Sequence, residues 1–341
     1  MKEEEVIDQS FRDSIGTIKK DGKRNFIFPK KPKGWYFNAR TLVSVFLLAI
    51  LFGLPFIEVH GQPLFLFNVF ERKFIIFGVF FGPYDFHIFL LSFIALVVFV
   101  ILFTAIYGRI FCGWICPQTV FMELVFRKIE YWIDGDFREQ RKLRAAPWSG
   151  KKLFKRVLKH AIFLGIAYLI AHTFMAYLVG LDEVREIVSS SPSDRPGGFI
   201  AMNVFTALFF FVFAWFREQA CIIVCPYGRL QGVLLDQNSL AVTYDFVRGE
   251  PRGKIVKNEE RTTGDCIDCK LCVDVCPTGI DIRNGIQMEC VNCTACMDAC
   301  DEVMTKIDRP KGLIRLDSLN GVQTGKKFSF SVRVGIYTGV L

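Results

Sequence analysis

Twelve cysteines carry most of the chemistry legible in this 341-residue chain, and they fall into two kinds of spacing. Eight lie within 35 residues: Cys266, Cys269, Cys272 and Cys276 follow C-x2-C-x2-C-x3-C with Pro277 next, and Cys290, Cys293, Cys296 and Cys300 repeat it with Asp301 in the proline's place. This is the run used to hold two 4Fe-4S clusters. Three closely spaced thiolates wrap one corner of a cubane and the fourth must come from a distance, so each fourth cysteine is expected to ligate the other cluster. Cluster I then falls to Cys266, Cys269, Cys272 and Cys300, and cluster II to Cys276, Cys290, Cys293 and Cys296. Zinc knuckles would need ligands in two pairs rather than two triplets and two singles. Disulfides do not suit the reducing compartment in which the topology below places this segment.

The other four cysteines form a separate repeat. Cys112-Gly113-Trp114-Ile115-Cys116-Pro117 and Cys221-Ile222-Ile223-Val224-Cys225-Pro226 are two copies of C-x3-C-P, trailed by Gln118 in one case and by Arg229 three residues on in the other. On a helix, residues four apart share a face, so both sulfurs of a copy could meet one soft metal ion or a cofactor. Thiolates select Cu(I), zinc or iron–sulfur centres over hard cations. Buried cysteines in membrane helices are often only small apolar groups, but two copies at the same place in a duplicated chain favour a site. The two halves packed side by side would bring four thiolates together.

The elements that must position these cysteines are membrane spans. Residues 42–57, 88–107, 161–181 and 199–216 are apolar and contain no Asp, Glu, Lys or Arg. Each is long enough, or nearly so, to cross a hydrocarbon core of ~30 Å. The first is expected to gain length from a snorkelling Arg40. Residues 74–82 are too short to span and read as an interfacial segment. Lys and Arg number 10 before residue 41, 2 in 58–87, 12 in 108–160 and 2 in 182–198. Positive-inside bias then puts the N-terminus, the 108–160 loop and everything from Arg217 onward in the cytoplasm. The net charge of +8 is thus topological, and no nucleic-acid fold surrounds it.

The expected fold is a polytopic α-helical membrane protein of four spans with a small cytoplasmic α+β two-cluster ferredoxin domain. Its parts are a cytoplasmic arm at 1–40, a membrane domain at 41–235, the ferredoxin domain at 236–325, and the start of a fifth span at 326–341. Weaker candidates surround this frame. His60, His87 and His172 are each more ordinary as packed or solvated residues than as metal or quinone contacts, and Met122, Met175 and Met202 more ordinary as core than as thioether ligands. Arg109 and Arg217 are expected to anchor helix ends in headgroups. Glu123, Arg127, Lys128 and Glu130 read as a solvated helix face.

Taken together, the residues resemble the FixG/CcoG family of accessory factors for cbb3-type cytochrome oxidase. The resemblance rests on residues 108–120 around Cys112 and Cys116, on residues 225–231 and 242–245, on Arg248-Gly249-Glu250-Pro251-Arg252-Gly253, and on the double ferredoxin run with residues 276–281. It implies an inner-membrane protein with two 4Fe-4S clusters that handles copper for the oxidase by reducing Cu(II) to Cu(I). Cys112, Cys116, Cys221 and Cys225 would be the copper or redox site. The implied partners are membrane lipid, an oxidase subunit or copper chaperone, and a cytoplasmic electron donor. The family continues through another span into a periplasmic immunoglobulin-like domain, and this chain stops at Leu341. Quinol-oxidising membrane ferredoxins of the NapH type share the spans, the C-x3-C-P pairs and the ferredoxin run, which keeps open a reading as an electron-transfer subunit without copper. A scaffold with structural clusters is a third.

Overall fold

The computed structural model describes residues 24–69, 71–254 and 263–325, with Gly335, Ile336 and Gly339 beyond them. Apart from those three positions, the segment at 326–341 lies outside the described residues, as does the arm before Arg24.

Four helices are long and apolar enough to cross a membrane: Trp35–Phe56, His87–Tyr107, Gly150–Val179 and Pro196–Phe216. The first contains helix α1 (Trp35–Gly53) and a closing 3-10 turn. Two short strands follow, β1 (Glu58–Val59) and β2 (Gln62–Pro63), and then an antiparallel meander of β3 (Phe65–Asn68), β4 (Lys73–Ile76) and β5 (Val79–Phe81). Residues 74–82, expected as an interfacial segment, are therefore most of a hairpin. Its two-residue turn, Phe77-Gly78, has φ of 51° and 75°, the left-handed pair that matches strand twist.

Helix α2 (Phe86–Tyr107) is apolar on every side and its most apolar stretch is only 6% buried within the protein. Such a surface suits hydrocarbon, where a helix satisfies all of its own backbone. The chain then turns through α3 (Ile110–Trp114), α4 (Pro117–Thr119), a π-helical stretch at Val120–Phe126, α5 (Arg127–Ile133) and α6 (Phe137–Ala145). Helix α7 (Gly150–Val179) starts well before its apolar run because the Ser149 side chain accepts the Lys152 N–H at 3.3 Å, capping it. After α8 (Leu181–Ser189), helix α9 (Pro196–Phe211) packs on α7 and ends in a π turn at Val212–Phe216. Ala167 and Ala171 on α7 are fully buried, and small residues of this kind let membrane helices approach closely. Phe121, Met122 and Phe126 join Phe163, Ile170 and Phe213 in one core. Met175 and Met202 lie in another beside Val184.

A layer of paired charge corrects the expectation of a solvated face at 123–130. Arg127 is 1% exposed and Glu130 5%. Arg127 pairs with Glu123 at 2.7 Å and with Glu218 at 3.7 Å, and Lys159 pairs with Asp134 at 2.5 Å. Arg217 donates to both oxygens of Glu130, at 3.2 and 2.7 Å, so it does not reach for headgroups. Charges leave water only when each finds a partner, and a sequence window cannot see that the partners lie on other helices. Burial opposes ionisation of Glu130, and Arg217, Lys159 and Arg127 outweigh it, holding the carboxyl below its ordinary range.

Beyond α10 (Pro226–Leu234) comes the cysteine-rich region. Strands β6 (Ala241–Tyr244) and β7 (Ile314–Asp317) pair antiparallel, Ala241 opposite Asp317 and Tyr244 opposite Ile314. Between them lie α11 (Phe246–Gly249), α12 (Leu271–Asp274) and α13 (Ala295–Lys306), with α14 (Leu319–Thr324) following. Val242, Tyr244, Ile280, Ile282, Met304 and Leu313 form its core together with Cys266 and Cys272. This region is bound to the membrane helices. Asp298 of α13 accepts the N–H of Tyr36 at 3.1 Å and of Phe37 at 2.8 Å, closing the open start of α1. Arg40 does not snorkel: it is 2% exposed, and its guanidinium donates to the Cys293 carbonyl at 3.5 Å.

Candidate functional site

The two C-x2-C-x2-C loops have the same backbone. Asp268 and Asn292, each just before the second cysteine, both have φ of 51°, and Lys270 and Thr294, each just after it, have φ of 59° and 62°. Four left-handed residues without glycine are costly. They curl each loop so that its three sulfurs face inward. Each loop runs directly into a helix, α12 or α13, whose first turn carries the third cysteine, Cys272 or Cys296. The free N–H groups at such a start favour an anion.

Two cavities lie beneath the loops. Cys266, Cys269, Cys272 and Cys300 line one of them. Cys276, Cys290, Cys293 and Cys296 line the other, and Cys272 reaches it too. Each cavity thus draws three sulfurs from one loop and one from the far end of the opposite run. Among the described residues no group of three or more His, Cys, Asp or Glu side chains is arranged to hold a single metal ion. Four thiols spread around a cavity, with apolar walls of Ile267, Leu271 and Leu313 in one case and Val291, Ile280 and Ile282 in the other, fit a 4Fe-4S cluster.

The surroundings of the two sets differ. Cys269 is exposed, and Arg283, a buried cation lining its cavity, is neutralised by Asp268 at 2.5 Å and Asp281 at 2.6 Å. The second set faces the membrane helices. Gly113 lies so close to its loop that a Cβ there would come within 2.4 Å of the Val291 carbonyl oxygen and 2.8 Å of that of Asn292. Arg109, 4% exposed, donates to the carbonyls of Met288 and Cys290 in this loop and of Gly228 on α10. Its expected place in the headgroups is thus taken by a contact among three parts of the chain. Burial pushes the Cys290 thiol up to about 12 and the Cys293 thiol up to about 11; the Asn292 N–H and, after it, Arg109 pull the first back, and Arg40 the second.

The C-x3-C-P copies are a structural duplication. Gly108 (φ 58°, ψ −134°) and Arg217 (φ 54°, ψ −126°) end their membrane helices in the same unusual conformation. Four residues on, Cys112 and Cys221 lie in a short helical turn, and the N–H of Cys116 and of Cys225 each reaches back five residues, to Phe111 and Ala220, at 2.9 Å in both copies. The following proline breaks the helix, so the second cysteine of each pair opens a new helix instead of sharing a face with the first. This replaces the expected one-turn arrangement. The four thiols still lie within electrostatic reach of one another. Burial first, and then each other's charge, pushes Cys112 up to about 11 and Cys221 up to about 12.

Gln231, fully buried on α10, accepts from the Cys112 thiol at 3.3 Å, and its Nε2 has no hydrogen-bond partner. The motifs contain Gln231, Arg109 and Gly113, yet spacing alone gave none of them a role. A usable signal was present: aligning the two copies sets Gly113 against Ile222 and Arg217 against Gly108, and each mismatch marks a special contact. His60 and His87 stand apart from the thiols, and His172 is turned to the Tyr168 carbonyl at 2.7 Å.

Known proteins place these features. Residues 216–319 match the family model of a 4Fe-4S dicluster domain, and residues 89–138, which contain Cys112 and Cys116, match that of a 4Fe-4S binding domain. The chain is 36% identical over 307 residues to nitrogen fixation protein FixG of Rhizobium meliloti, covering 87% of this chain and 58% of that protein. It is 36% identical over 296 residues to protein RdxA of Cereibacter sphaeroides and 36% over 299 residues to its protein RdxB, covering 85% and 86% of this chain and 62% of each relative. The chain therefore spans less than two thirds of the length of these relatives. No solved structure matches it. With four membrane-length helices, eight cysteines around two cavities and a likeness that runs through most of its residues, the chain is an iron–sulfur protein that belongs to the FixG family.

Proposed function

We propose that the protein is an electron-transfer protein of the bacterial inner membrane that reduces Cu(II) to Cu(I) during assembly of a cbb3-type oxidase, with its N-terminus and ferredoxin domain on the cytoplasmic side. The observation that carries this reading is the contact of Gly113, in the first C-x3-C-P, with the backbone of Val291 and Asn292. It sets the backbone of the first C-x3-C-P copy directly against the loop of the second cysteine set. Bound in their two sets of thiolates, the clusters supply one-electron chemistry at low potential.

The residues run in a line from exposed Cys269, through Cys272 on both cavities, to Cys290, Arg109 and Cys112. Cu(II) is the substrate. Cys112, Cys116, Cys221 and Cys225 would have to draw together to hold it, since they are not arranged around a single metal ion in this structure; it takes one electron, and the product is the softer ion that thiolates prefer. Gln231 holds the Cys112 thiol in place. The raised values of Cys112 and Cys221, about 11 and about 12, keep these thiols protonated at neutral pH, so copper must displace protons to bind.

The test is an anaerobic assay of Cu(II) reduction and copper content in the wild type and in the double variant Cys112→Ala, Cys221→Ala. Loss of both with the iron retained is expected. Unchanged reduction and binding would end the site assignment, and quinol-dependent reduction with no copper bound would turn the reading towards a quinol-oxidising subunit.

A further inference from the structure

The eight cluster cysteines come as two copies of one motif, but the charge around them is unequal. Around the first set the described charged groups include Arg283, Lys270, Asp268, Asp281 and Asp301. Three are acidic, Arg283 is paired twice, and Lys270 is exposed, where water screens it. Around the second set they include Arg40, Arg109, Glu123 and the half-buried Glu289, and Glu123 is held by Arg127 at 2.7 Å. Arg40 and Arg109 are 2% and 4% exposed. Their hydrogen bonds go to backbone carbonyls, those of Cys293, Cys290, Met288 and Gly228. Among the described residues neither forms an ion pair, and Arg40 Nε and Nη2 and Arg109 Nε have no partner. Two cations that have left water without an ion pair are a cost to the fold, and one that a nearby acquired negative charge would offset.

We infer that Arg40 and Arg109 are positioning residues for electron transfer: they raise the reduction potential of the second cysteine set above that of the first, so that an electron entering the pair settles on the membrane side, beside the C-x3-C-P thiols. Reduction adds one electron and one unit of negative charge to a site, and two buried cations outside any ion pair favour that charge. Charge, hydrogen bonding and solvent exposure are the levers by which a protein sets such potentials, and here all three differ between copies. The inference rests on the cross-paired iron–sulfur sets and is independent of copper.

The experiment is a redox titration followed by electron paramagnetic resonance, on the full chain purified anaerobically in detergent with its iron content measured. Two resolved midpoints are expected. Cys269→Ser, at the exposed corner of the first set, identifies the lower one by changing its signal. Arg40→Met and Arg109→Met should each lower only the upper midpoint, by about tenfold in the reduced-to-oxidised ratio at fixed potential, which is 59 mV for one electron. Arg40→Lys and Arg109→Lys, which keep the charge, should stay near wild type. If one methionine variant fails to retain iron, the other still carries the test, because the two arginines enter from different helices. Methionine variants that move neither midpoint, or both equally, would overturn the inference. Lysine variants that fall as far as the methionine ones would too.

Discussion

The loops at 266–272 and 290–296 are near-copies in spacing and in their paired left-handed residues, and their settings are opposite. The first leaves Cys269 exposed at the edge of its cavity and meets an arginine that is already neutralised. The second is covered by the start of α1, by α3 and by two buried arginines. A shared motif thus sets which sulfurs gather, and the neighbours set what each gathering is for. Asp268 and Asn292 make the point at one position: Asp268 reaches out to Arg283 at 2.5 Å, and Asn292 reaches in to accept the Val242 N–H at 3.1 Å.

The comparison can be broken most severely at Gly113. Gly113→Val must push the second loop away, since its Cβ would overlap the Val291 carbonyl. The expected result is loss of iron from one set only, from about eight to about four per chain, measured by iron and sulfide analysis. Retention of full iron would show that the loop does not need its membrane neighbour. Next in size is Asn292→Ala, which leaves the buried Val242 N–H without its acceptor. It should cost about 1–3 kcal/mol, seen as earlier loss of cluster absorbance in a thermal ramp. The matched change Asp268→Ala removes a partly exposed ion pair and should cost well under 1 kcal/mol in the same ramp. Equal effects at the two positions would deny the difference in setting.

A separate and graded effect is one of pH at the C-x3-C-P thiols. The raised values of Cys112 and Cys221 mean that both are protonated well below pH 11. Apparent copper affinity should therefore rise with pH between about 6 and 8, up to tenfold per unit for each proton displaced. Competition against a chelator of known affinity measures it, and a flat profile would count against thiolate binding.

What was legible in the sequence was local. Cysteine spacing reports ligand geometry because a cubane constrains only a few neighbouring residues, and an apolar run reports a span because the bilayer acts on each residue separately. Most of the misread residues were charged: Arg40, Arg109, Arg127, Glu130 and Arg217. Each was assigned to water or headgroups on its own chemistry, and each is buried by a partner distant in sequence, as Arg217 is by Glu130 and Arg109 by Met288 and Gly228. The helix break at Cys116 and Cys225 was announced by the prolines that follow them. Its consequence, a second sulfur opening a new helix, needed the three-dimensional turn.

Asp298 stands on α13 between Cys296 and Cys300, and its carboxylate closes the first turn of α1. The carboxylate has its reach only when α13 is wound, and α13 is wound around two of the sulfurs that face the cavities. The first of the four membrane-length helices is thus finished by a segment made much later, more than two hundred and fifty residues on in the chain. Insertion and maturation are tied to a single fastening, and a chain whose cysteine loops had not closed would carry its incompleteness into the bilayer as an unseated first span.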